Sequence, residues 1–207
     1  MTRRLPSLVA LAVLVVPGAA LAQSAVTGRA YVTLGTVFMT ASETFDAVAD
    51  TTRINVVGVG GTVSWQGVFV DVAVSKGTLD GQRVFVLDDE VFDLGIPLEI
   101  SVRPVDIAGG WRGTTGPVSP YGGAGITFLT YEETAEFADP GDDVSERVSG
   151  WLLLGGVDVS ILPWLHAGGE VRYRAVTGVL GEGGVSEAFG EDSVGGTSVA
   201  VRVSVGL

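Results

Sequence analysis

Alternation of apolar with small or polar residues is the feature that most constrains this chain. The segment SVAVRVSVGL places an apolar side chain at every second position from Val199 to Leu207, and puts Arg202 among small residues on the opposite face. Because successive residues of a strand point to opposite faces, this is the pattern of a β-strand between two unlike environments. The same pattern, less regular in the fifth strand, predicts seven more strands: 28–39, 54–65, 67–76, 94–103, 121–131, 151–161 and 165–176.

The spacing of these eight strands predicts a closed antiparallel up-and-down barrel. Short turns are expected near 65–67 and 162–164, and no helical period follows the first 22 residues. The segment 104–118 is either a large turn or includes a continuation of strand four to Ala108 through a bulge. Ten strands is the alternative, with an extra hairpin around 84–87. Long connections are expected at four places: 40–53, 77–93, 132–147 and 177–194.

The N-terminal segment has the three parts of a secretory signal peptide. Arg3 and Arg4 precede an apolar stretch that is too short to span a bilayer, and Ala20-Leu21-Ala22 forms a small-x-small cleavage site. Residues 1–22 are therefore predicted to be removed, and 23–207 to form one barrel domain. The chain contains no cysteine, which leaves no thiol for lipid attachment, disulfides or thiolate chemistry.

Acidic residues dominate the charge, and most lie in or beside the four long connections. The chain has 24 acidic and 12 basic residues, for a formal net charge of −12. This balance argues against a nucleic-acid partner, because binding phosphates requires Lys and Arg. It also predicts a barrel with one acidic, long-loop end and one nearly uncharged, short-turn end.

Three features of the polar faces favour lipid outside the barrel and a charged lumen inside it. They contain no lysine, their arginines and carboxylates nearly balance, and they are rich in Gly, Ala and Ser, which leave room for long charged side chains. Lys76 lies at the end of a predicted strand. A soluble barrel of lipocalin type, with the faces exchanged, is the alternative. The residues predicted to form the lumen charge network are Arg29, Asp71, Glu99, Arg103, Asp158, Glu170, Arg172, Arg174 and Arg202.

The four tryptophans indicate two interface levels. Trp65, Trp111 and Trp164 lie in or beside the short-turn end, and Trp151 lies at the opposite end of its strand. Aromatic side chains with a polar tip collect where lipid meets water.

With its signal peptide, the segments PYGGAG (120–125) and GGEVRYR (168–174) and its alternating last strand, the chain resembles small bacterial outer-membrane β-barrels of the OmpA, OmpX and OmpW type. The resemblance implies periplasmic chain ends, short periplasmic turns and extracellular acidic loops. It also implies outer-membrane lipid, lipopolysaccharide and the barrel-assembly machinery as partners. Proteins of this class usually end in an aromatic residue, where this chain has Leu207.

No residue pattern predicts catalysis or a cofactor. His166, the single histidine, has Ser160 and Asp158 on the neighbouring strand, but it is expected near the short-turn end as a lumen or rim residue. The acidic segment 136–146 lacks the spacing of an EF-hand loop, so weak divalent-cation binding is the strongest metal hypothesis. Two functions stay open: a structural or surface-interaction barrel plugged by its lumen charges, and a narrow channel for ions or small, even hydrophobic, molecules.

Overall fold

The computed structural model describes residues 26–87, 90–135, 144–178, 180 and 184–206. The predicted signal peptide and Leu207 lie outside this part of the chain. Eight strands and two short helices make up the fold: β1 (Val26–Met39), α1 (Ser42–Ala49), β2 (Arg53–Trp65), β3 (Val68–Leu87), β4 (Glu90–Arg112), β5 (Val118–Ala135), β6 (Val144–Leu162), β7 (Leu165–Ala175), α2 (Gly184–Phe189) and β8 (Gly196–Gly206).

The strands form one closed barrel in chain order, which confirms the predicted fold class. Each strand is antiparallel to the next, and β8 returns to β1 in a register that pairs Arg29 with Gly206 and Met39 with Gly196. Closure leaves no unpaired sheet edge. The ten-strand alternative is wrong, because residues 84–87 continue β3 and pair with β4.

The short turns lie where the sequence predicts them. Gln66 and Gly67 join β2 to β3 with φ values of 51° and 87°, the left-handed pair that matches the twist of a two-residue hairpin. Pro163 and Trp164 join β6 to β7. Strand β4 continues past Ala108 to Arg112, so the connection to β5 is only 113–117.

The opposite end differs more from the prediction. The expected connection 77–93 is mostly strand, since β3 and β4 stay paired out to Leu87 and Glu90, and Lys76 therefore lies inside β3 rather than at its end. The segments 40–53 and 177–194 contain α1 and α2. No helical period was visible in these segments, because helices of 8 and 6 residues are too short to show a period of 3.6. Neither helix has the length and hydropathy to cross a membrane, within the described residues.

The barrel wall is apolar outside and charged inside. Val201 is 63% exposed, whereas its neighbour Arg202 is 1% exposed. A water-soluble barrel has the reverse arrangement, so the lipocalin-type alternative is wrong. All four tryptophans lie on the outer surface. Trp151 precedes the β6–β7 turn by eleven residues, which at the usual strand rise and tilt is about 28 Å, close to the height of a lipid-facing belt.

The predicted facing of strand four was wrong at its loop end. Glu99 and Arg103 lie on the outer surface, whereas Leu98, Ile100 and Val102 are buried in the lumen. Beyond the lipid-facing belt the environments exchange, because the exterior there is water and the interior is closed by apolar packing. The period of two is preserved, but its apolar face has changed sides.

Candidate functional site

Arg172 on β7 is the centre of the lumen. Its guanidinium donates to three carboxylates from three strands: Asp71 (Nη2 to Oδ1, 2.9 Å), Asp106 (Nη1 to Oδ2, 3.0 Å) and Glu170 (Nε to Oε1, 2.6 Å). Nη2 also lies 2.9 Å from the Tyr31 hydroxyl. One planar group therefore joins β1, β3, β4 and β7 across the barrel, a geometry that arginine offers and lysine does not.

Arg174 and Asp106 form a two-pronged ion pair beside this centre. The Arg174 Nε and Nη2 atoms lie 3.1 and 2.6 Å from the two Asp106 oxygens. Arg174 Nη1 reaches Ser198 Oγ on β8 at 3.3 Å. Parallel donors on one carboxylate fix the direction of both side chains as well as their distance.

Arg202 on β8 closes the network from the other side. Its Nη1 donates to Glu170 Oε2 at 2.9 Å and its Nη2 to Thr62 Oγ1 at 2.8 Å. The guanidinium also lies over the Tyr31 ring, 3.5 Å from its centroid. Tyr31 and Thr62 both donate to Asp71. Ring, charge and hydroxyl groups therefore meet at this level of the lumen.

A second group of charges lies towards the short-turn end. Asp158 on β6 accepts from Arg112 Nη1, and Arg29 Nη1 lies 3.6 Å away. The Arg112 guanidinium also lies over the Tyr121 ring at 4.4 Å. His166 Nδ1 and Ser160 Oγ are 3.0 Å apart, but the Asp158 carboxylate faces the arginines. These three residues therefore do not have the acid–histidine contact of a hydrolytic triad.

Seven of the nine residues predicted for the lumen lie in it, and the structure brings them into these two groups. Glu99 and Arg103 do not; Arg103 pairs with Glu132 on the outer wall. Asp106 and Arg112 were not predicted to lie in the lumen, because they belong to the segment 104–118, for which the sequence did not decide between a strand and a turn. The alternation Asp106, Ala108, Gly110, Arg112 was the signal that could have placed them. Tyr31 and Tyr121 were not predicted as partners in the network. A sequence shows which face of a strand a side chain lies on, but not which side chains it contacts across the barrel.

An apolar cluster closes the lumen above the charges, towards α1 and α2. Phe45 of α1 is buried in this cluster, which otherwise comes from the strands and from the connections that carry α1 and α2. Its buried members are Met39, Ala41, Phe45, Ile54, Leu98, Ile100, Val102, Leu129, Tyr131, Val176 and Val194. The lumen therefore has two layers, one ionic and one apolar.

The two connections that carry the helices are held together by Glu191. Its carboxylate accepts from the backbone N–H groups of Glu43 (3.1 Å) and Thr44 (2.8 Å) in the first turn of α1. Those N–H groups have no partner within the helix, and an acidic group at a helix N-terminus is also favoured by the helix dipole. Glu191 thus fixes α1 over the barrel mouth.

Two cavities along the lumen are small, and a larger one opens at the mouth. A cavity of about 20 Å³ lies between the apolar cluster and Arg174, and one of about 30 Å³ lies beside Arg172, each with room for about one water molecule. The cavity at the mouth measures about 260 Å³ and is bordered by α1, α2 and the ends of β3, β4 and β5.

No metal-binding cluster of His, Asp or Glu is present among the described residues. Residues 136–143, most of the acidic segment considered for divalent cations, lie outside them. The lumen carboxylates that the structure does describe face arginines, which leaves them poorly arranged to bind a cation.

Solved structures that share this fold include three bacterial proteins. Neisserial surface protein A covers 88% of this chain and 97% of its own, with 13% identity and a TM-score of 0.54. Ail, the attachment invasion locus protein of Yersinia pestis, solved with the heparin analogue sucrose octasulfate, covers 89% and 99%, with 8% identity and a TM-score of 0.52. A major outer membrane protein of Thermus thermophilus covers 88% and 100%, with 12% identity and a TM-score of 0.53.

No protein-family model matches the chain. No curated protein matches its sequence either. At such low identities the structural likeness establishes the fold alone. Together with the apolar outer wall and the charged lumen, it gives this chain the fold of an eight-stranded outer-membrane barrel.

Proposed function

We propose that this protein is a closed, non-conducting barrel of the outer membrane, with a structural or surface-interaction role and no enzymatic activity. The single observation that carries the proposal is the ionic layer around Arg172, which crosses the lumen from wall to wall. Insertion would use the barrel-assembly machinery that handles this fold.

Two layers in series support a plug rather than a pore. Arg172, Arg174 and Arg202 each contact side chains from more than one strand, so none is free to swing aside without breaking several hydrogen bonds. The apolar cluster under α1 adds a barrier of a different kind, since an ion would have to lose its water to pass it. A hydrated ion needs a wider path than cavities of about 20 and 30 Å³ offer.

The loop end is the surface available for contacts outside the cell. Its described residues include many carboxylates and few cations. Such a surface suits cationic partners, or anionic neighbours bridged by divalent cations. The described acidic residues there include Glu43, Asp46, Asp50, Asp80, Asp93, Glu99, Glu132, Glu133, Glu146, Glu187, Glu191 and Asp192.

Planar-bilayer recording tests the plug. Purified 23–207, shown to be folded by a gel mobility that changes on boiling, should produce no stable conductance steps. A porin of known conductance, reconstituted in the same way, serves as the control for detection. Regular steps from the unaltered protein would overturn the proposal in favour of a channel.

A second candidate, transport of small molecules, is favoured by the mouth cavity of about 260 Å³. Its lining mixes apolar residues such as Phe45 and Leu98 with the polar Thr44 and Glu133. A molecule entering there would meet the apolar cluster beneath, so transport would require α1 to move. Replacing Glu191 with Ala removes the carboxylate that holds α1. If this second function is real, the variant should increase the uptake of small molecules through the barrel.

Absence of catalysis is tested separately. Lipid A isolated from cells that express the protein should have the same mass as lipid A from cells that do not. A new lipid A species that disappears on His166→Ala would show an enzyme.

A further inference from the structure

The cavity at the barrel mouth has an apolar floor. It measures about 260 Å³ and is bordered by α1, α2 and the ends of β3, β4 and β5. Phe45, Leu98, Ile100 and Tyr131 border it, and all four are buried members of the apolar cluster that closes the lumen. Val185 of α2 adds a further apolar side chain. A concave, largely apolar space with a few polar groups is the usual form of a small-molecule site.

Glu133 of β5 supplies a carboxylate at the edge of this floor. Among the described residues it is the only acidic residue that borders the cavity, and it is half-buried. The hydroxyl of Tyr131, two residues earlier on the same face of β5, donates to its Oε1. Within the same part of the chain, its Oε2 has no hydrogen-bond or ion-pair partner. One oxygen is therefore held in place and the other is left to meet a ligand.

The carboxylates of the lumen are in a different state. Asp71, Asp106, Asp158 and Glu170 each have an arginine nitrogen within 3.0 Å. Glu133 has no such cation among the residues that the structure describes. Because a half-buried carboxylate is stabilised by a positive partner, the edge of the cavity favours a ligand that brings its own cation.

Arg83 of β3 also borders the cavity, but it already has a partner. Glu133 pairs with Ile100, and Ile100 pairs with Leu79. Arg83 therefore lies four residues further out along β3 than the residue in the row of Glu133, which is about 13 Å at the usual strand rise. The charge that lies next to the apolar floor is thus the carboxylate and not the guanidinium.

The surroundings of the mouth favour a cation as well. Glu43 and Asp46 of α1, Asp80 of β3 and Glu187 of α2 are all exposed there. Carboxylates grouped around an opening create a negative potential that raises the local concentration of small cations.

We infer that the mouth cavity binds a small amphipathic cation, with an apolar ring or chain on the floor of Phe45, Leu98 and Ile100 and a primary ammonium at Glu133 Oε2. An ammonium group at that position also lies beside the ring of Tyr131, which offers a cation–π contact. Binding at the mouth requires no passage through the lumen, so the inference goes beyond the closed-barrel proposal. For the second candidate function it names the class of molecule.

Methyl NMR of refolded 23–207 in an uncharged detergent, labelled at Ile, Leu and Val, locates the ligand and measures its affinity. The probe is phenethylamine. Its comparison compounds are phenethyl alcohol, which is neutral, phenylalanine, which is zwitterionic, and hydrocinnamate, which is anionic. Methyl resonances of Leu98, Ile100 and Val185 should shift with phenethylamine, whereas those of Val201 and Val203 on the outer wall report only partition into detergent.

Glu133→Gln should weaken phenethylamine binding about tenfold or more and leave phenethyl alcohol unaffected, because the variant removes the charge and keeps the shape. The matched control is Glu132→Gln. Glu132 is the neighbouring carboxylate, but it pairs with Arg103 on the outer wall, so this variant should bind phenethylamine normally. Val185→Phe, which fills part of the cavity, should weaken the binding of both compounds.

Three results would overturn the inference. The first is equal affinity of the unaltered protein for phenethylamine and phenethyl alcohol. The second is tighter binding of hydrocinnamate or phenylalanine, which would assign the charge of the site to Arg83. The third is a shift confined to the methyl groups of the outer wall. If Glu133→Gln does not fold, the order of affinities of the unaltered protein for the four compounds decides the matter.

Failure of the closed-barrel proposal is distinguishable from failure of this site. Conductance steps in the bilayer recording would contradict the plug and leave the methyl shifts at the mouth unchanged. An absence of shifts at Leu98 and Ile100 from a protein that is folded and non-conducting would contradict only the binding site.

Discussion

Replacing Arg172 with Met is the most informative single perturbation of this barrel. The change removes a guanidinium that contacts Asp71, Asp106 and Glu170 and replaces it with an apolar side chain of similar length. Of the three carboxylates, Asp106 keeps Arg174 and Glu170 keeps Arg202. Asp71 keeps mainly its hydroxyl donors, Tyr31 and Thr62, with Arg202 at 3.8 Å.

The expected cost follows from the asymmetry between making and breaking a buried ion pair. Removing one partner leaves a charge in a low-dielectric interior, which costs about 3–5 kcal/mol. Because Asp71 is 1% exposed and loses its closest cation, we expect the free energy of unfolding to fall by at least about 3 kcal/mol. Adding Asp71→Asn to Arg172→Met should restore part of this loss, since the amide carries no net charge.

Urea unfolding of the refolded barrel, followed by tryptophan fluorescence, measures these free energies. Arg103→Met is the matched control, because Arg103 is also paired with a carboxylate but on the exposed outer wall, where such pairs contribute about 0–1 kcal/mol. Similar losses for Arg172→Met and Arg103→Met would refute the reasoning. A double variant less stable than Arg172→Met would also refute it, by showing that the charge of Asp71 is not what destabilises the single variant.

Three further changes test the wall and the turns in the same assay. Val201→Arg places a charge on the lipid-facing wall and should lower the free energy of unfolding by about 2–4 kcal/mol, whereas Val201→Leu should leave it unchanged. Gly60→Ala should lower the free energy of unfolding by about 1–3 kcal/mol, because its Cβ would lie 2.4 Å from the Tyr31 ring. The control is Gly61→Ala on the outer face, where the nearest atom to a Cβ is 3.6 Å away. Equal losses for the two variants would contradict the packing argument. Gln66→Gly should stabilise the hairpin by up to about 1 kcal/mol, because φ is 51° there, and a loss of stability would show that the Gln66 side chain contributes instead.

The wall of the barrel was predictable because its two environments differ along most of each strand. Val199, Val201 and Val203 alternate with Ser198, Ala200 and Arg202, and lipid and lumen select different side chains at every step. Seven of the nine predicted lumen residues follow from this alternation alone. The helices at the loop end were not predictable, since a turn or two of helix leaves no readable period.

The sequence by itself determined that this chain forms eight strands with one apolar face and one face rich in arginine, carboxylates and glycine, because side-chain direction in a strand has a period of two. Only the tertiary structure decided where along β4 the apolar face turns from the outside to the lumen. At the loop end Leu98 is buried and Glu99 is exposed, because the exterior there is water rather than lipid. It also decided the partners inside the lumen. Arg172 and Asp71 are 101 positions apart in the chain, and they meet because closure of the barrel places β3 and β7 across one narrow lumen.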